Sequence, residues 1–201
     1  MPTTSNMAKV NGITIAGAIT EAHTLLRTET VSSGVSTVSF TTRIDSTFDV
    51  FEFRFKNIHP ATDNVNLTFQ ANTAGASGFN ETITSTFFYN SHSEGDAVSG
   101  PGYEADFDQA QGTAYQVLAN YVGKDNDQSC NGVLTLYAPI SRTYVKHFVS
   151  RLHNVTAGDY ARDNYAAGYI NTTSPIDEIS FKMSSGNIDA GTIKMYGIAT
   201  S

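Results

Sequence analysis

Tryptophan is absent, cysteine occurs once and proline five times in the 201 residues, and only 15% of the side chains are charged. Each shortage excludes something. A charged fraction well below the roughly 25% of ordinary soluble domains, with few of the strong helix formers, argues against a helix bundle or a coiled coil. No apolar run approaches the roughly 20 residues that a membrane-spanning helix needs, so a membrane is not an expected partner. A lone Cys130 cannot close an internal disulfide, and the fold has to stand without covalent staples. Its flanks, Asp127-Gln128-Ser129 and Asn131-Gly132, offer no basic group to lower the thiol pKa, so an inert thiol is expected. Lys and Arg number 12 against 19 Asp and Glu, a formal charge of −7. A chain that binds nucleic acid needs a surplus of cations to neutralise phosphate, so nucleic acid is not an expected partner either. Val10 to Ile19 is short, is broken by Gly12 and Gly17, and has only Lys9 before it. No secretion signal is legible there, and synthesis in a reducing cytoplasm is the expectation.

What fills the chain instead is 25 Thr, 19 Ser, 15 Asn, 12 Phe and 10 Tyr. β-Branched and aromatic residues suit a pleated, half-buried surface, and Ser, Asn and Gly suit the turns between strands. The clearest strand is Asp49 to Asn57, in which Phe51, Phe53 and Phe55 share one face and Glu52, Arg54 and Lys56 the other. That period of two belongs to a strand with one buried side, and three phenylalanines on that side call for a thick apolar layer opposite them. Further strands are expected at Leu25 to Val31, Val35 to Thr42, Val65 to Ala71, Thr82 to Tyr89, Ala114 to Val122 and Gly132 to Ala138. Tyr144 to Leu152, Tyr165 to Asn171, Ile176 to Met183 and Thr192 to Ile198 complete the set. The first two of these flank Ser32-Ser33-Gly34 at a hairpin-like spacing. About ten short strands with turn residues between them, and no convincing helical stripe, predict an all-β fold. Its expected form is a two-sheet antiparallel β-sandwich with jelly-roll topology. Residues 25–201 form that domain, and residues 1–24, polar and then small and apolar, are expected as an N-terminal arm or edge strand that docks on a neighbouring subunit.

Two stretches lack strand character. Asn90 to Gly112 is the longest and the most acidic, with Glu94, Asp96, Glu104, Asp106 and Asp108, and Val155 to Asn164 carries Asp159, Arg162 and Asp163. Long connections in compact domains tend to be functional or interface-forming. Asp125-Asn126-Asp127 and Asp106-Phe107-Asp108 are the candidates for calcium, but neither continues with the Gly and distal Glu of an EF-hand loop, and a turn and a solvated loop explain them as well. The five histidines show no zinc-ligand spacing. Neither a G-x-S-x-G elbow, a P-loop nor a dinucleotide fingerprint occurs, so catalysis, a cofactor and a metal are not expected. Carboxylate pairs for glycoside hydrolysis can be drawn among the 19 acids only by chance. Tyrosines beside the loops are the remaining candidates. Tyr103 with Asp106 and Asp108, and Tyr160 and Tyr165 bracketing Arg162, would suit a stacked sugar, and equally a protein interface, where Tyr and Arg are enriched.

Three stretches carry a resemblance: Thr30 to Phe40 (TVSSGVSTVSF), Phe55 to Asn64 (FKNIHPATDN) and Ile179 to Ile198 (ISFKMSSGNIDAGTIKMYGI). Together they resemble virion structural proteins of tailed bacteriophages, those of marine phages especially, over about Leu25 to Ile198. The closing SSGNIDAGTIKMYGI element is the most specific part. The resemblance implies a non-enzymatic, β-rich component of the virion and carries over no functional residues. The expected role is capsid decoration, a cement protein on the particle exterior. Its partners would be other virion proteins, major capsid or tail, and further copies of itself in a homo-oligomer such as a trimer. A tail-associated fibre or receptor-binding module that holds a host glycan is the alternative.

Overall fold

The computed structural model describes residues 8–10, 13–15 and 23–198. The arm expected over residues 1–24 lies outside the described residues except for β1 (Ala8–Val10) and β2 (Ile13–Ile15), which pair antiparallel, and the first two residues of β3. Thirteen further strands follow: β3 (His23–Val31), β4 (Val38–Phe40), β5 (Val50–Pro60), β6 (Val65–Thr73), β7 (Ile83–Ser93), β8 (Ser99–Tyr103), β9 (Ala110–Gly112), β10 (Gln116–Val122), β11 (Cys130–Tyr137), β12 (Lys146–Val155), β13 (Tyr160–Ile170), β14 (Ile176–Met183) and β15 (Ile188–Ile198). They form two antiparallel sheets, the β-sandwich that composition and periodicity predict. The small sheet has the order β10-β6-β14-β4. The large sheet has the order β3-β15-β5-β11-β12-β13-β7-β8, with β9 also pairing β7.

The phenylalanine face of β5 meets its apolar layer. Phe51 and Phe53 are fully buried and Phe55 nearly so. Opposite them Phe181 of β14 presents edges to Phe53 at 5.3 Å and Phe55 at 5.1 Å, and Phe40 of β4 joins the cluster 6.1 Å from Phe181 and 5.3 Å from Phe53. Edge-to-face contact of this kind adds about 0.5–1.5 kcal/mol per pair to the burial itself. Phe69 of β6 and Phe148 of β12 extend the layer sideways at 4.9 Å.

Three sequence expectations are corrected. Ser32-Ser33-Gly34 does not close a hairpin: β3 lies in the large sheet and β4 in the small one, and Val35 bridges to Ile188 instead. A chain that changes sheets buries Val31 and Val38 between the layers, which a two-stranded ribbon would leave half open. Asn90 to Gly112 is not structureless. β7 runs on to Ser93, the chain turns at 94–98, and β8 returns along β7 with Phe88 opposite Tyr103. The Gly-Pro-Gly at 100–102 hides this strand from propensity, yet proline and glycine are tolerated on a sheet edge, where no ladder donor is needed. Val155 to Asn164 shrinks to the four residues Thr156–Asp159, because β13 starts at Tyr160 and pairs along its whole length with β12 and β7.

At one end of the large sheet the ladder is irregular in three neighbouring strands. Register shifts fall between Cys130 and Gly132 opposite β5, and on both sides of Ala190 where β15 meets β5. Asn57 sits at φ 51° and Gly191 at φ 125°. A Cβ on Gly191 would come within 2.6 Å of the Asn57 carbonyl, so only glycine lets the two bulged backbones touch. The extra residue resets the alternation of β5. Ile58 returns to the core, and His59 turns toward the end of the sandwich.

Candidate functional site

Two places bring chemistry together. The first is the outer face of the large sheet. Register sets Tyr103, Phe88, Tyr165 and Arg151 side by side across β8, β7, β13 and β12. Phe88 and Tyr165 stack with ring centroids 4.8 Å apart and planes 5° off parallel, and the Arg151 guanidinium lies 5.4 Å from the Tyr165 ring. Arg151 grips Asp163 with two nitrogens, at 3.1 and 2.7 Å, and the Tyr165 hydroxyl donates to the same carboxylate at 2.7 Å. Partial burial works against the charge, but these donors hold the Asp163 carboxyl below its ordinary range. The carboxylate in turn raises the Tyr165 phenol through that hydrogen bond. Tyr103 donates to Asp108, which raises its phenol in the same way. Phe88 is 45% and Tyr103 57% exposed, so the row is an open aromatic surface rather than the lid of a core. Farther across the sheet Arg54 lies 4.6 Å over Tyr196 and pairs with Glu52.

The residues singled out from sequence do not converge. Tyr103, Asp108 and Tyr165 belong to the outer row or its border, while Asp106 is exposed on the 104–109 connection beneath. Arg162 and Tyr165 are three apart in β13 and therefore leave the sheet on opposite faces. Arg162 points inward, 4.1 Å from the Tyr89 ring and 5.2 Å from Tyr121, with a hydrogen bond of 3.2 Å to Asn120 Oδ1. It anchors the underside of the sheet. Tyr160 is half-buried on the same inward side, so the groove expected from Tyr160, Arg162 and Tyr165 is split between two surfaces.

The second place is a cleft of about 530 Å³ at the bulged end, lined by Asn57, His59, Asn126, Asp127, Ser129 and Asp189 among others. His59 Nδ1 lies 2.7 Å from Asp189 Oδ1, and Nε2 lies 3.2 Å from the Asp125 carbonyl. Burial opposes a charge on this ring, yet the Asp189 hydrogen bond and the Asp125 carbonyl outweigh it and raise the histidine above its ordinary value. A carboxylate and a carbonyl both accept, so both contacts are hydrogen bonds together only when both ring nitrogens carry protons, in the imidazolium form. In that state it has no lone pair with which to take a proton from a nucleophile. Sequence reasoning missed this cluster because His59, Asp125 and Asp189 are distant in the chain and meet only through bulges that no propensity encodes.

Other reactive groups have structural partners. Lys146 is fully buried and donates to the carbonyls of Ser141 (2.6 Å), Tyr144 (2.7 Å) and Thr172 (3.3 Å), tying two loops to β12. Cys130 is fully buried, and burial pushes its thiol far above the ordinary range, which leaves no thiolate for reaction. Among the described residues no three His, Cys, Asp or Glu side chains are grouped closely enough to hold a metal ion. Comparison with known proteins gives no matching family model, no matching curated protein and no matching solved structure.

Proposed function

We propose that this chain is a non-catalytic structural protein of a bacteriophage virion, a capsid decoration protein that works by adhesion through the outer face of its large sheet. The observation that carries the proposal is the exposed row of Tyr103, Phe88, Tyr165 and Arg151. Aromatic residues and arginine are what protein interfaces concentrate, and a solvent-facing sheet does not need them for folding. Two further features support it. The three sequence stretches resemble phage virion proteins, as described above. The strand order also supports a jelly-roll reading: the core strands β3-β15-β5-β11 face β4-β14-β6-β10, so that each of the first four successive core strands crosses to the other sheet. Viral capsid and lectin domains share that architecture. β7–β9 and β12–β13 are then insertions that widen one sheet.

Adhesion of many copies stabilises a shell by mass action and needs no turnover. Both edges of the large sheet are blunted against backbone pairing. β8 is short and carries Pro101, and the inward face of β3 carries the paired charges Arg27 and Glu29. Contact through the face is the route left open. Electron microscopy of intact particles tests the reading: density for the sandwich repeated over the shell lattice, large-sheet face against the capsid, is the expected result. Its absence from the shell overturns it. If the same density appears only at the tail, the glycan-binding alternative takes its place, with the amide- and carboxylate-lined cleft around His59 as the place where sugar hydroxyls would be held.

A further inference from the structure

The large sheet is electrically polarised along its width. Residues 57–123 contain seven carboxylates and no Lys or Arg. This stretch supplies β7, β8 and β9, so Glu94, Asp96, Glu104, Asp106 and Asp108 gather at one end of the sheet. At the other end Arg54, Lys56 and Lys194 stand on the outer face of β5 and β15. Lys194 is directly opposite Arg54 in the ladder. Like charges in that position cost stability, up to about 1 kcal/mol, and Glu52 beside Arg54 neutralises only one of the three. From β15 to β8 there are six strand spacings, about 29 Å at roughly 4.8 Å each. The Debye length at physiological salt is about 8 Å, so the two ends do not neutralise one another within one molecule.

Each end also has an apolar centre. Val98 (51%) and Tyr103 (57%) are exposed at the acidic end, and Leu25 (50%) is exposed beside Tyr196 at the basic end. An apolar centre with a charged rim is the usual anatomy of a protein interface. The two ends of a single chain are thus complementary to each other in charge and alike in having an apolar centre.

We infer that the chain associates with itself head to tail: the acidic 94–108 end of one copy docks on the Arg54, Lys56 and Lys194 face of the next. A contact between two different patches of the same chain is heterologous. It closes into a ring when the rotation between copies allows, which is the geometry of a cyclic trimer. This goes beyond the virion reading and does not depend on it, because it uses only the fold and the charges.

The test is sedimentation velocity and native mass spectrometry of the purified full chain in low salt and in high salt, with two charge-reversed variants. One variant carries R54E, K56E and K194E; the other carries E94K, E104K and D106K. A cyclic oligomer in low salt that dissociates in high salt is the expected behaviour of the unaltered chain. Each variant alone should be monomeric, and an equimolar mixture of the two should reassemble, since the reversed patches complement each other again. The altered side chains are at the surface, and circular dichroism with thermal melting checks that both variants fold. Should either not fold, the salt series on the unaltered chain decides. A monomer at every salt concentration, an oligomer indifferent to salt, folded variants that still assemble, or a mixture of folded variants that stays monomeric would each overturn the inference.

Discussion

Phe181→Ala is the sharpest probe of how the two sheets are held. Phe181 is fully buried and sits where the rings of Phe40, Phe53 and Phe55 converge, all at centroid distances between 5.1 and 6.1 Å. Truncating a core phenylalanine costs about 3–5 kcal/mol, the spread depending on how far the cavity collapses. Here collapse is resisted, because the neighbouring rings are fixed by the backbones of β4 and β5, and up to three edge-to-face pairs of about 0.5–1.5 kcal/mol each are lost with the ring. The upper part of the range, about 4–5 kcal/mol, is expected. That is a large share of the roughly 5–15 kcal/mol that holds a domain of this kind together. For a chain of this length it corresponds to a fall in melting temperature of roughly 8–20 °C. Urea unfolding followed by far-UV circular dichroism measures it, with Phe181→Leu as the control that keeps most of the volume and should lose less than half as much. A loss below about 2 kcal/mol for the alanine variant would refute the idea that this cluster bears the sheet-to-sheet contact.

The other predictions concern the two ends of the large sheet. His59→Asn removes the imidazole that joins β5, β15 and the 124–128 turn. A histidine whose pKa is raised by folding stabilises fully below its unfolded value near 6.5, and that stability is lost as pH rises through the higher folded value. The unaltered chain should therefore lose stability with rising pH across that window, and the Asn variant should lose the slope. Equal slopes in urea titrations at several pH values would rule the imidazolium clasp out. Native-state hydrogen exchange should find β13 and β7 opening before β5 and β15, because the main core reaches the first pair at one end, through Ile83 and Ile170, and the rest rests on the small cluster of Phe87, Val117 and Ala166. Uniform protection across all four strands would contradict that order.

How much of this was legible in the sequence follows from which interactions are local. Phe51, Phe53 and Phe55 announce themselves by alternation within one strand, and a sheet buried on one side is the only regular structure with that period. Alternation sets Lys146 on one face of β12 with Phe148 and Ser150, the inward one, but gives no reason why a lysine is tolerated there. Three carbonyls at the loop ends satisfy it, and no pattern in its own strand reports them. β8 escaped notice because its strand character comes from pairing with β7, not from its own Gly-Pro-Gly. The row from Tyr103 to Arg151 likewise exists only through register. Its members come from four strands spread over residues 88–165, and adjacency across strands is fixed by turns whose lengths propensity does not give.

The two halves of the large sheet are built on different principles, and this bears on why the aromatic row is exposed. Beneath β3, β15, β5 and β11 the interior is apolar almost throughout. Beneath β12 and β13 the core reaches in with Phe148, Leu152 and Ile170 and then gives way to an amide ladder: Asn164 Nδ2 donates to Asn154 Oδ1 at 2.7 Å and to the Leu152 carbonyl at 3.0 Å, and Asn154 Nδ2 donates to the Asn120 carbonyl at 3.1 Å. Buried amides contribute little net stability when satisfied but cost about 1–3 kcal/mol when a partner is lost, so they fix register more than they add strength. The half that carries Phe88, Tyr103 and Tyr165 is thus held in place by polar complementarity from below, and its large rings face water above. Burial under the sheet would have stabilised those rings by about 1.5–3 kcal/mol each. Leaving them outside forgoes that gain, and covering them with a partner surface recovers it. The apolar half maintains the fold, and the polar half presents a rigid, register-locked face for contact.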